Sequence, residues 1–99
     1  MTFSIVARSG DGQAWGVAVA SKYLAAAAMV SAAEAGVGAL ATQAWANLSY
    51  KPLGLAALET GSSAADCITA LTAPDPQRAD RQLGVVAASG PGATYTGPD

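Results

Sequence analysis

Histidine is absent from this 99-residue sequence, and with it go the imidazole bases, nucleophile activators and metal ligands on which much enzyme chemistry rests. Cysteine occurs once, as Cys67. That excludes an internal disulfide framework and a four-cysteine zinc site, and it suits a reducing cytoplasm. Charge is scarce: Asp, Glu, Lys and Arg make up 12% of the chain, against a usual share of about 25%. With five Lys+Arg, no basic cluster and a net charge of −2, the electrostatic footprint of a nucleic-acid partner is missing. No basic stretch leading into an apolar segment opens the chain, so no secretory signal is read. The uncharged run Tyr23 to Ala33 is well short of the ~20 residues a membrane helix needs. No metal-ligand spacing and no Gly-rich loop followed by Lys-Ser/Thr is present, so no metal or cofactor is expected. The expectation is a cytoplasmic protein with no membrane or nucleic-acid partner.

What the chain does have is apolar surface. Hydrophobic residues make up 52% of it, too many for disorder. The share is also high for a small free-standing domain whose surface must be mostly wet. Residues 1–99 therefore read as one domain that belongs to something larger: a deeply layered domain, a homo-oligomer or a truncated chain.

The apolar residues fall into a clear order. Thr2 to Arg8 is rich in β-branched and aromatic residues and predicts a strand. Ser9-Gly10-Asp11-Gly12 predicts a turn, and Trp15 to Ser21 an antiparallel partner. Phe3 and Ile5 point one way while Ser4 and Val6 point the other, so this pair must be covered on both faces, by helices, a second sheet or one of each. Tyr23 to Ala33 favours helix by alanine propensity. Its flanks favour strand-turn-strand, with Ala27 to Ala32 as the first arm and Val37 to Gln43 as the second. Asn47 or Ser49 caps a helix with Pro52 in its first turn, apolar Leu53, Leu55 and Leu58, and a stop at Gly61. Ser63 to Asp66 resembles a capping box, opening a helix whose Ala64, Cys67, Ile68 and Leu71 fall at i, i+3, i+4 and i+7. Asp75 and Asp80 flank a Pro-rich loop and are expected to be solvated. Gln82 to Ala88 predicts a further strand, paired through Ser89-Gly90-Pro91-Gly92 with Ala93 to Thr96. Strands, two helices, then strands make an α+β chain. Ending on an uncovered hairpin, it is expected to lack a C-terminal portion.

Thr2 carries the most pointed chemistry. If Met1 is removed, Thr2 bears a hydroxyl and a free α-amine, and an α-amine titrates near pH ~8. A threonine activated by its own amine is a nucleophile that requires neither histidine nor metal. The plain alternative is that Thr2 simply starts a strand. Ser4 shares its strand face. Gln43 offers an amide donor at a strand end, suited to an oxyanion, and Asn47 and Tyr50 are placed on the same rim, although capping accounts for Asn47 equally well.

Met1 to Ala7, Gly16 to Lys22, Ala35 to Ala39, Ala41-Thr42-Gln43-Ala44, Gly54-Leu55 and Arg81 to Val86 together resemble a bacterial and archaeal family of uncharacterised proteins, domain of unknown function 1028, related to the N-terminal nucleophile (Ntn) hydrolases. The resemblance runs the whole length and implies an αββα sandwich of two antiparallel sheets between helical layers, here its N-terminal part, in a single incomplete domain. It favours the strand reading of Ala27 to Ala32. The wider superfamily implies hydrolysis of a small amide or peptide-like substrate. Thr2 would be the nucleophile, Lys22 a cation lowering the pKa of its α-amine, Gln43 an oxyanion donor and Ser21 a further polar group beside Lys22. The alternative on the same scaffold is a non-catalytic binding or assembly module.

Overall fold

A computed structural model of the chain describes residues 2–21, 31–44 and 47–98. Lys22, the stretch 23–30 and Trp45 lie outside the described residues, so the expected first arm is seen only from Ser31 onward. Strand β1 (Thr2–Arg8) and strand β2 (Trp15–Ser21) form an antiparallel pair. Strand β3 (Ser31–Glu34), β4 (Gly38–Ala44), β5 (Arg81–Ala87) and β6 (Ala93–Thr96) form a second antiparallel sheet in sequence order. Helices α1 (Tyr50–Glu59) and α2 (Ala64–Thr72) lie between β4 and β5 in the chain, and a short 3₁₀ turn, Arg78–Asp80, leads into β5.

The layers follow from strand alternation. In β4 and β5, Leu40, Leu83 and Val85 face the helices and join Tyr50, Leu58, Cys67, Ile68 and Leu71 in one buried core. Each such side chain contributes roughly 1.5–3 kcal/mol by leaving water. The opposite face of β4 meets the β1–β2 pair, with β1 over β4 and β5 and β2 over β3 and β4. Among the described residues the order is thus two-stranded sheet, four-stranded sheet, helices: a mixed α+β fold of antiparallel sheets with one helical layer. The outer face of β1 has no cover among these residues, and Phe3 and Ile5 are 62% and 63% exposed there.

Both helix ends are set locally. Ser63 accepts a hydrogen bond from the Asp66 N–H at the start of α2, and the four predicted apolar positions of α2 are all buried. Helix α1 stops where Gly61 takes φ +96°. Its N–H donates to Leu58 O while the Ser62 N–H donates to Ala57 O, the double return bond of a Schellman end. The buried face of α1 is Tyr50, Gly54 and Leu58. Of the expected leucines Leu58 is buried, Leu55 packs partly against the core and Leu53 is 59% exposed. The reason is Gly54: a Cβ there would lie 2.5 Å from Leu40 Cδ2, so the missing side chain lets α1 settle onto β4.

Candidate functional site

Alternation turns Thr2 and Ser4 of β1 inward, and the register sets Thr2 opposite Ser21. Their hydroxyls lie 2.8 Å apart, and either oxygen can be the donor. Facing them across the layers is Gln43, at the end of β4 and 8% exposed. Its Nε2 donates to the Thr2 carbonyl at 3.1 Å and to Gln82 Oε1 at 2.6 Å, while its Oε1 accepts from the Ser4 hydroxyl at 2.9 Å. A carbonyl can only accept, so this orientation of the amide is the one that satisfies all three partners. Gln82 sits opposite Gln43 in the register, and its own Nε2 donates to Thr96 Oγ1 at 3.3 Å. One polar row therefore crosses both sheets: Ser21, Thr2, Gln43, Gln82, Thr96.

The row brings together Thr2, Ser4, Ser21 and Gln43 of the expected site. Gln43 arrives there with a different task, because both of its N–H donors are already engaged within the protein. It clamps the first residue of β1. Gln82 and Thr96 were not singled out in the sequence. The signal for them was a polar residue near the start of β5 and another closing β6, which becomes informative only once the register pairs Gln82 with both Gln43 and Thr96. Immediately after Gln43, Ala44 ends β4 with φ +65°, a left-handed conformation that costs a non-glycine residue about 1–2 kcal/mol.

Two expected rim residues are engaged with other partners. Asn47 caps the approach to α1: its Oδ1 accepts from the Ser49 N–H at 3.0 Å and the Ser49 hydroxyl at 2.6 Å. Tyr50 is 2% exposed and lies on the helix side of the four-stranded sheet, where its hydroxyl donates to Asp75 Oδ2. The expectation of a rim tyrosine is thus corrected by its burial against the core. Asp75 is corrected too. It is 7% exposed and ion-paired with Arg81, Nε to Oδ2 2.8 Å, with further bonds from Arg81 Nη2 and the Gln77 N–H to Oδ1. The Arg81 guanidinium, followed by the Tyr50 hydroxyl, holds the Asp75 carboxyl well below the usual carboxylate range. Burial, then Asp75, pushes Tyr50 up to about 12. Arg81 also stands 6.0 Å from the Tyr50 ring centroid.

Cys67 is fully buried, its Sγ 3.6 Å from Gly54 O, and burial raises its pKa, so it is a core thiol and not a reactive one. Trp15 anchors the far end of the β1–β2 pair by donating its indole N–H to Ala87 O at 3.3 Å, beside Arg8, which donates to Ala87 O and Gly90 O. Among the described residues no group of three His, Cys, Asp or Glu is placed to hold a metal, and no helix is long and apolar enough to cross a membrane.

The model of a family described as "Family of unknown function (DUF1028)" matches residues 2–99. The crystal structure of protein SPO2555 from Silicibacter pomeroyi, which carries the same family label, superposes with a TM-score of 0.90 at 31% sequence identity. The match covers 99% of this chain and 46% of that one, so the present chain spans less than half the length of that structure. Comparison with curated proteins finds no match.

Proposed function

We propose that this chain, which belongs to the DUF1028 family of unknown function, carries the nucleophile of an Ntn-type hydrolase that cleaves a small amide or peptide-like bond. In this reading removal of Met1 frees the Thr2 α-amine. That amine takes the proton of the Thr2 hydroxyl as the oxygen attacks the carbonyl carbon, and returns it to the leaving nitrogen. Water then releases the acyl group.

The observation that carries the reading is the placement of Thr2. Among the described residues its hydroxyl meets the hydroxyl of Ser21, and its carbonyl is held by Gln43. The residue is thereby oriented through its backbone, and its side-chain oxygen is held at the Ser21 hydroxyl. Pre-orientation of this kind is what a nucleophile needs. Gln43 and Ser4 are then positioning residues, Ser21 is the hydroxyl partner of the nucleophile, and Lys22, which follows Ser21 in the sequence, takes the role of the cation that the resemblance implies. The αββα sandwich of the Ntn hydrolases is the scaffold this reading implies, with the outer helical layer above Phe3 and Ile5. The single cysteine suits a cytoplasmic setting.

The test is mass analysis of the mature protein before and after exposure to a β-lactone. A chain beginning at Thr2 with one adduct on that residue is the expected result. Retained Met1, or a processed Thr2 that stays unlabelled in the folded protein, would overturn the proposal. The uncovered apolar face at Phe3 and Ile5 favours a second reading, an assembly module that forms a homo-oligomer.

A further inference from the structure

Among the described residues, the hydrogen bond that reaches Thr2 from the four-stranded sheet comes from the Gln43 side chain. The Ser4 hydroxyl that meets the oxygen of this amide rotates freely and can accept as well as donate, so it follows the amide and does not fix it. What fixes it is a pair of groups that can only accept. The two N–H bonds of a carboxamide lie in its plane and diverge. In Gln43 one is aimed at the Thr2 carbonyl at 3.1 Å and the other at Gln82 Oε1 at 2.6 Å. Two acceptors on one nitrogen set both the plane of the amide and the side on which its nitrogen lies. With the Thr2 carbonyl as sole acceptor, the group is free to pivot about that one bond.

Gln82 is suited to be the fixed member of the pair. It is half-buried on β5, opposite Gln43 of β4 on one side and Thr96 of β6 on the other. Its Nε2 donates to the Thr96 hydroxyl at 3.3 Å. Turning its amide over would set its nitrogen against that of Gln43, donor facing donor. The strand beneath it is anchored on its other face, where Arg81 is tied to Asp75 and Leu83 and Val85 lie in the core. Gln43, by contrast, stands at the end of β4, next to Ala44 with its φ of +65°. Support for the Gln43 amide therefore comes from the better anchored strand.

From this we infer that Gln82 is a positioning residue for Thr2, acting through Gln43. Its Oε1 holds the Gln43 amide at the angle that fixes the Thr2 carbonyl, and with it the placing of the Thr2 hydroxyl and α-amine. The consequence for bond cleavage rests on the hydrolase reading of Thr2; the hold on the Thr2 carbonyl does not. What position 82 must supply is an acceptor toward Gln43. Glutamate supplies one, because the Thr96 hydroxyl can reverse and donate to the second carboxylate oxygen. Methionine, of similar length, does not.

The experiment reads the Thr2 carbonyl directly. Phenylalanine occurs once, as Phe3, so a chain labelled with [1-¹³C]threonine and [¹⁵N]phenylalanine gives one carbonyl–amide NMR correlation, that of the Thr2–Phe3 peptide. In Gln82→Met the Thr2 carbonyl resonance should move upfield, the direction of a weakened hydrogen bond. β-Lactone labelling of Thr2 should slow about three- to tenfold, the size of one neutral hydrogen bond. Rates are compared on the alkaline plateau, where the α-amine is unprotonated and the charge added by glutamate does not alter its titration. Gln82→Glu should return both the resonance and the rate most of the way to wild type, a rescue that follows the acceptor and not the packing. If Gln82→Met does not fold, Gln82→Thr decides in its place, being favourable in a strand and too short to reach Gln43. An unmoved carbonyl or an unchanged labelling rate in the folded variant would overturn the inference, and so would a Gln82→Glu chain as impaired as Gln82→Met. The two readings fail separately. A wild-type Thr2 that takes no label while its carbonyl responds to Gln82 sinks the hydrolase reading alone. A labelled Thr2 whose carbonyl and rate ignore Gln82 sinks the positioning role alone.

Discussion

Gln43 uses both functions of its carboxamide at once, and that makes it the residue on which the position of Thr2 depends. Two of its bonds reach β1, to the Thr2 carbonyl and the Ser4 hydroxyl, and the third reaches β5. Gln43→Ala removes all three and leaves polar atoms in a half-buried layer, at about 1–3 kcal/mol for each group that finds no water. On the hydrolase reading the expected outcome is a lower urea midpoint and β-lactone labelling of Thr2 slowed at least about tenfold, because Thr2 loses its alignment. Gln43→Glu is the sharper variant. It keeps the acceptor for Ser4 but turns an oxygen on two other acceptors, the Thr2 carbonyl and Gln82 Oε1, so it should be no better than alanine. Labelling rates equal to wild type in both variants would show that Gln43 does not position Thr2.

At the scale of elements, α2 and the β5–β6 pair were legible because their signals are local: a capping serine, an apolar i, i+3, i+4, i+7 stripe, and two apolar runs joined by a glycine-rich turn. Helix α1 was legible as a helix but not in how it packs. Three leucines drew attention away from Gly54, and a glycine gives no sign of a close approach until the neighbouring strand is in view. The same limit applies to Tyr50 and Asp75. They were read as rim and solvent residues because Tyr50 and Asp75, whose polar ends meet in the core beside Arg81, are 25 residues apart in the sequence. Of the residues that meet in the polar row, Thr2 was singled out by its place after Met1, Ser4 by alternation along β1 and Gln43 by its polar strand end, while Ser21 came only with the family resemblance. Gln82 and Thr96 required the register. The packing of α1 gives a direct prediction. Gly54→Ala improves helix propensity by roughly 1 kcal/mol yet places a methyl 2.5 Å from Leu40 Cδ2, an overpacking that costs typically 1–3 kcal/mol. Net destabilisation is expected in urea unfolding. Pairing it with Leu40→Ala should recover part of the loss, since the truncated side chain clears the space. A stabilised single variant would mean that α1 does not sit this close to β4.

For the molecule as a whole, the Tyr50–Asp75–Arg81 cluster joins the helical layer to the sheet: Tyr50 opens α1, Asp75 lies in the loop after α2, and Arg81 opens β5. Asp75→Asn leaves the buried guanidinium without its counter-charge and should cost about 3–5 kcal/mol, read as a fall in the urea midpoint at neutral pH. The cluster also sets how stability depends on pH. The Asp75 carboxyl is held below its ordinary range in the folded state, so its contribution is complete above an unfolded pKa of about 3.9 and is lost as pH falls through the depressed native value. Tyr50 behaves oppositely. Its native pKa is pushed up to about 12, above an unfolded value of about 10. Between those two values the folded state holds a proton that the unfolded state has lost, so stability declines as pH rises through that window. Urea midpoints measured across pH should therefore form a plateau with both an acid and an alkaline limb. In Tyr50→Phe the alkaline limb should become shallower between pH 10 and 12, because the group that titrates there only in the unfolded chain has been removed. At neutral pH the same variant should be less stable, as Asp75 Oδ2 loses one of its two donors. An alkaline limb identical to wild type would mean that Tyr50 titrates alike in the folded and unfolded chain. The polar link between the helical layer and the start of β5 would then rest on Arg81 and Asp75.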